Sequence, residues 1–268
     1  ASIIAGSASA QTLPRTINDR PNLQGIWRAV NRASYDLEAH VARRDMPAGQ
    51  SVVDGGKIPY QPWAAEQQHV NFENRAAADP LSNCFLPGVP RIMSMEFPFH
   101  IFQTDEHVAI TFEWQQVYRL IYMDNEPPLY GGIESWMGNS RGRWEGDALI
   151  VEITDQNDGT WLDAAGNFHG NAMRVTERYS LRDTNTIDYE ATIEDSDVFT
   201  RPWTIRLVLQ RQTQMDRLLE YQCQALKEEE NGAFERDEST WYPATIPVDN
   251  ELFDSRASAD LPLPTVGN

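Results

Sequence analysis

From residue 91 onward the chain alternates apolar and polar positions in short runs separated by turn residues, the period-two pattern of half-buried strands. The pattern predicts strands over 91–97, 99–104, 107–115, 117–124, 143–145, 148–154, 172–181, 186–194, 203–211 and 217–225, after a first strand at 22–27. Several links are hairpin-tight: Asp105-Glu106, Gly146-Asp147 and Asp183-Thr184-Asn185. Consecutive strands with short connections and no helix between them make an antiparallel meander. Closing such a sheet on itself removes its exposed edges. The expectation is a mainly β fold, an antiparallel up-and-down β-barrel, with a β-sandwich as the alternative.

Upstream the period changes. Residues 34–44 fit a short helix capped by Ser34, and a Gly/Pro-rich connection through Gly55-Gly56 and Pro59 follows. Pro62 then suits the first turn of a second helix running to about Ala77. This N-terminal helical elaboration, around 34–77, is inserted in a single barrel domain spanning 22–245. Residues 1–21 are expected as a leader remnant and flexible tail, and 246–268 as a C-terminal tail. The acidic run Glu228-Glu229-Glu230 and the Pro-rich 261–264 read as solvated wrappings.

Charge narrows the partners. With 22 Lys and Arg against 40 Asp and Glu the net charge is −18, which argues against nucleic acid and against an anionic membrane surface. Hydrophobic residues at 41 % suffice for a core, yet no run reaches the roughly 18 apolar residues of a spanning helix. The opening residues, with Ala8-x-Ala10 after an apolar stretch, match the end of a secretory signal and predict a secreted or periplasmic protein. In an oxidising compartment Cys84 and Cys223, far apart in sequence, are expected to form a disulfide.

Candidate chemistry comes from charges on apolar faces. Glu177 shares a face with Met173, Val175, Tyr179 and Leu181, so it must be neutral, paired or facing a wet cavity. Glu113 raises the same question among Val108, Ile110, Phe112 and Trp114, and Arg119 shares a face with Val117, Ile121 and Met123. Glu113 and Arg119 flank a turn, so cross-strand pairing is expected. Two readings stand: a buried Arg–Glu lock, or a polar interior in which a glutamate moves a proton and Arg119 holds an anionic group. The stretch 154–171 is too long for a hairpin and reads as a lid or mouth loop carrying Trp161, Asp163 and His169. There His169 and Asp163 are either an acid–base pair or ordinary loop hydrogen-bonders. Asp155-x-Asn157-x-Gly159 departs from an EF-hand, leaving a structural calcium as a minor alternative. His40, His69, His100 and His107 form no metal-binding spacing, and no phosphate-cradling loop or Gly-x-Ser-x-Gly elbow occurs, so no metal or cofactor is expected. The segment 136–147, with Trp136, Arg141 and Trp144, is either an Arg–Trp lock or a ligand-recognition surface.

Gly25-Ile26-Trp27 resembles the Gly-x-Trp opening of lipocalins and other calycins, implying a calycin-like barrel. A wider resemblance, from residue 22 to about 225, is to a widespread family of exported bacterial proteins. It is carried by Pro59-Tyr60-x-Pro62-Trp63-Ala64, Asp79-Pro80, Cys84-x-x-Pro87-Gly88-x-Pro90-Arg91, Gly138-x-Ser140-Arg141-Gly142-Arg143-Trp144-Glu145-Gly146-Asp147, Glu177-Arg178, Arg201-Pro202-Trp203 and Tyr221-x-Cys223, with Glu113 and Arg119 fitting too. Members often carry a His between the Glu and Arg positions, where this chain has Gln115 and Gln116. That departure speaks against a His-based role there. The resemblance implies export and a β-rich fold, and transfers no activity.

The functional expectation is a cofactor-independent lyase, hydratase or isomerase acting on a small organic molecule. His169 or Glu177 would move a proton, with Glu113 and Asp163 as further acid–base candidates. Arg119 or Arg141 would steady negative charge, and Trp136, Trp161 and Tyr179 would contact substrate. The competing expectations are a lipocalin-like module that binds a hydrophobic or aromatic ligand without turnover, and a structural or partner-binding envelope protein.

Overall fold

Nine strands close into one barrel, in chain order, in the computed structural model, which describes residues 13–123 and 132–231. They are β1 (Gly25–Ala29), β2 (Phe99–Gln103), β3 (His107–Phe112), β4 (Tyr118–Tyr122), β5 (Asn139–Glu145), β6 (Ala148–Thr154), β7 (Arg174–Asp183), β8 (Thr186–Glu194) and β9 (Trp203–Arg211). Residues 1–224 form one compact unit, which contains the whole barrel, and 225–268 a second. The leader-like residues 1–12, residue 124 at the end of the expected fourth-strand run, and the Pro-rich 261–264 lie outside the described residues.

The expected strictly antiparallel meander is corrected at one place. β1 and β9 are antiparallel, and strands alternating in direction around a closed ring must be even in number. Nine strands therefore force one pair of like-directed neighbours. That pair is β4–β5, joined in parallel register over Ile121↔Ser140 and Tyr122↔Arg141. The connection between them, 123–138, is long, as a parallel join requires. Gly142 faces inward on β5, where a Cβ would come within 2.7 Å of both Ile121 Cγ2 and Met123 Sδ. The missing side chain lets the two strands close.

Alternation places Trp27, Phe99, Ile110, Ile121, Tyr179 and Tyr189 inside, all fully buried. The interior is packed with side chains. On the outside, β7–β9 carry a ladder of charges in which Arg206 bonds both Asp54 and Glu190.

The helices differ from expectation in three of four places. Pro62 does open a helix, α1 (Pro62–Ala78). It buries only Ala64 and is held largely by polar contacts: Trp63 Nε1 to Asp197 O at 3.2 Å, Gln68 Nε2 to Ala165 O at 3.0 Å and Asn71 Nδ2 to Gly166 O at 3.1 Å. Residues 34–44, expected as a helix, form turns instead. There Asn31 and Asp36 accept the N–H groups of Ala33 and Glu38, diverting backbone donors from a helical ladder, and Leu37 N–H goes to Asp163. Residues 91–97, expected as a strand, begin with the helical turn α2 (Arg91–Ser94), whose four residues are all buried and so show no alternation. Residues 217–225, also expected as a strand, make one bridge, Trp114↔Tyr221, before α3 (Cys223–Glu230). β5 starts four residues earlier than the expected 143.

Cys84 and Cys223 are bonded, with Cα atoms 5.5 Å apart. Beside them Gln115 donates its backbone N–H to Tyr221 O and its amide to Cys84 O, and Trp114 stacks on Tyr221 at 4.8 Å. Among the described residues no helix is long and apolar enough to cross a membrane.

Candidate functional site

The expected site residues fall into separate groups. The first crosses the barrel interior. Period-two alternation turns Glu177 and Tyr179 of β7, Tyr189 of β8, Arg119 of β4 and Ser140 of β5 inward. Arg119 meets Glu177 in a two-pronged ion pair, Nη1 to Oε1 at 3.0 Å and Nη2 to Oε2 at 2.6 Å. Tyr189 donates its hydroxyl to Glu177 Oε1 at 2.7 Å, and Arg119 Nε donates to Ser140 Oγ at 2.9 Å. The Tyr179 hydroxyl lies 3.5 Å from Arg119 Nη1, and the two tyrosine rings meet edge to face at 5.1 Å. Glu177 is 0 % exposed and Arg119 3 %. Burial alone would lower the Arg119 pKa, but the charge of Glu177 and its hydrogen bonds hold it above its ordinary value. Burial, then the charge of Glu177, pushes both tyrosines well above theirs, so they remain neutral donors.

The partner of Arg119 is thus Glu177 rather than Glu113. Glu113 lies at the barrel end, half-exposed, and accepts the backbone N–H of Leu219 at 2.9 Å. Sequence reading missed Tyr189 and Ser140. Tyr189 was visible as a polar tip among Ile187, Ala191 and Ile193 on one face of β8, whereas Ser140 lies in the half of β5 whose alternation is broken by glycine.

The second group is the loop 154–171, at the rim where β5 and β7 begin and β6 and β8 end. Asp163 is fully buried and accepts four N–H groups: Leu37 N at 2.8 Å, Ala165 N at 3.0 Å, Asn167 N at 3.1 Å and Asn167 Nδ2 at 2.6 Å. Burial and the charge of Asp36 push it up to about 7 against the pull of those donors. His169 is buried in a separate chain of bonds. Its Nδ1 bonds Gly170 O at 3.0 Å, and its Nε2 faces Thr160 Oγ1 at 2.7 Å and Gln156 Nε2 at 3.5 Å. A proton on Nδ1, with Nε2 accepting, satisfies every contact with a neutral ring, and burial lowers its pKa below the usual imidazole value. Gln156 continues the chain by accepting Val89 N–H at 2.9 Å, and Gly88, at φ +72°, leaves room where a Cβ would meet Gln156 Nε2 at 2.5 Å. Asp163 and His169 share no hydrogen bond. A further buried ion pair, unforeseen because Arg91 was assigned to a strand, joins Arg91 to both oxygens of Asp79 at 2.8 and 2.7 Å.

The remaining residues lie at the surface. Trp136 stacks on Phe85, centroids 5.0 Å apart and planes 10° apart, and Phe85 is 47 % exposed. A Cβ on Gly159 would press on the Trp136 ring at 3.0 Å. Trp161 is half-buried and pairs with Phe168 through a backbone bridge. Arg141 points outward with its guanidinium 4.5 Å from the Tyr122 ring centre. On the same rim, two open clefts of about 180 and 350 Å³ meet at Ala172 and Arg174, the larger one also lined by Glu194, Phe199 and Arg201. In the loop considered for calcium, Asp155 accepts from the Asn139 amide at 2.9 Å and Asn157 from Gly159 N–H at 3.1 Å. Among the described residues no three His, Cys, Asp or Glu side chains gather to hold a metal ion. Comparison with known proteins yields no matching family and no matching curated protein.

Proposed function

We propose that this chain is a binding protein for a small hydrophobic or aromatic ligand, which it holds at the barrel rim without turnover. The observation that carries this reading is where the acid–base groups are. Glu177, Arg119, Asp163 and His169 are buried and spend their hydrogen bonds on one another or on the backbone, while the face offered to a guest is aromatic, the Phe85–Trp136 pair. The rim clefts add the exposed Arg174, a guanidinium able to lie on an aromatic ring, beside Glu194 and Asp195. The disulfide and the resemblance to exported proteins support a setting outside the cytoplasm.

Titrating planar aromatic compounds, neutral and charged, against tryptophan fluorescence tests the proposal. Saturable quenching is expected, weakened about tenfold or more in Trp136→Ala. Equal binding by parent and Trp136→Ala overturns it. The convergence of Arg119, Glu177, Tyr179 and Tyr189 within 3.5 Å favours the enzyme as a second reading. Turnover of any ligand, abolished in a folded Glu177→Gln, would install that reading instead.

A further inference from the structure

The outer wall of the barrel changes character around its circumference. On β7–β9 it is the charge ladder already described, whose ion pairs close within the one copy. The strands β1–β4 contain no Asp or Glu, on a chain with 40 of them and a net charge of −18. Large rings stand in water there, Tyr118 at 75 %, Phe102 at 45 % and Tyr122 at 38 % exposure. His100 stacks on Phe102 at 4.0 Å, and partial burial lowers its pKa, so that ring adds no charge near neutral pH. An exposed set of rings of this breadth marks a contact surface. Full charges sit at the two ends of the wall, on the side of β1 and β2. Exposed Asp105 and Glu106 form the tip of the β2–β3 turn. Exposed Arg28 lies at the other end, one residue beyond the Trp27↔Phe99 pair, and makes no ion pair among the described residues. Glu96, which precedes β2 at that end, is already paired with Arg32.

The register makes this wall complementary to itself. Two outward rows cross it, His100–Thr111–Tyr118 and Phe102–Ala109–Leu120, with the inward row Ile101–Ile110–Arg119 midway between them. Gly25 pairs with Ile101, so Arg28 lies three residues to one side of the middle row and Asp105 four residues to the other. A half-turn about an axis along the middle row lays a second copy on the first with strands running in opposite directions. Tyr118 then lies over the partner's Leu120, and His100 over the partner's Phe102. At both ends of the contact Arg28 of one copy falls beside the Asp105–Glu106 turn of the other. A half-turn about an axis along the strands instead sets each acidic turn against its own duplicate, and juxtaposed like charges are penalised. Asp105 already accepts the Asn18 amide, whereas Glu106 makes no side-chain bond among the described residues and is the carboxylate left for Arg28.

We infer that the outer face of β1–β4 docks on the same face of a second copy of this chain, strands antiparallel, with Tyr118 on the partner's Leu120 and Arg28 against the partner's Glu106. The inference is independent of the rim site. Four strands about 4.8 Å apart give a patch at the small end of the interface scale, so a dimer with a Kd on the order of 1–100 μM is expected. Sedimentation velocity of the whole chain up to about 0.2 mM tests it, at about 0.15 M salt, where the Debye length is about 8 Å and the charge of each copy is screened. The parent should dimerise, Tyr118→Ala should raise the Kd about tenfold or more, and Trp136→Ala should match the parent. Arg28→Glu and Glu106→Arg should each weaken the dimer by at least about tenfold, because each sets like charges together at both ends of the contact. Mixed in equal amounts, these two single variants should dimerise again, since each supplies the charge the other lacks, and that recovery shows both to be folded. Three results overturn the inference: a monomeric parent, which leaves the face to another partner; a parent dimer indifferent to both Tyr118→Ala and Arg28→Glu, which uses another face; or two weakened single variants that do not recover on mixing.

Discussion

Glu177 shows what a buried charge demands of its surroundings. Its two oxygens accept three hydrogen bonds from Arg119 and Tyr189, and the side chain is fully buried. Removing one member of such a pair leaves the other uncompensated, at a cost of about 3–5 kcal/mol, whereas replacing both by apolar side chains is often neutral. Glu177→Leu should therefore lower stability to urea by about that amount, and Arg119→Met/Glu177→Leu should recover most of the loss. His169 makes a second prediction, on pH. The unfolded chain protonates this imidazole near pH 6.5, and the buried ring resists protonation below that. The unfolded state then binds more protons, so the contribution of His169 is complete above about pH 6.5 and declines as pH falls beneath it. Asp163 acts in the opposite sense: raised to about 7, it favours the folded state increasingly as pH drops from 7 toward 4. Comparing urea midpoints of parent and His169→Gln between pH 7 and 5 isolates the first effect, and the variant should lose less stability over that interval.

At the scale of elements, alternation was the legible signal. β2, β3, β4, β7, β8 and β9 each bury every second residue and could be read from sequence to within a few positions, and the inward Glu177 and Arg119 could be read with them. What was illegible has a physical pattern. The run at Arg91–Ser94 is buried on all sides, and a fully buried apolar run does not distinguish helix from strand. The turn-rich 34–44 lost its helix to Asx side chains bonding the backbone, a competition that propensity does not resolve. β5 was shortened because Ser140 and Gly142 replace the apolar residues that reveal an inward face. The pairing of Arg119 with Glu177 rather than Glu113 depends on the far wall of the barrel, 58 residues away in sequence. Nearness along the chain pointed to the wrong glutamate.

For the molecule as a whole, the disulfide closes a long loop, with Cys84 and Cys223 separated by 139 positions in sequence. Constraining a loop of that length disfavours the unfolded chain by roughly 4–5 kcal/mol in the chain-entropy account. Cys84→Ser/Cys223→Ser should unfold at markedly lower urea concentration, with a loss of about 3–5 kcal/mol and an unchanged far-ultraviolet spectrum at zero denaturant.

The odd strand count reaches further than topology. Because nine cannot alternate, the wall carries one short like-directed joint, and the bond from Arg119 to Ser140 crosses that joint while the grip on Glu177 ties it to the opposite side. The charged cluster is therefore a rivet at the wall's weakest weld. Loosening it would make the cylinder gape along a single predetermined line, with the other eight joints intact.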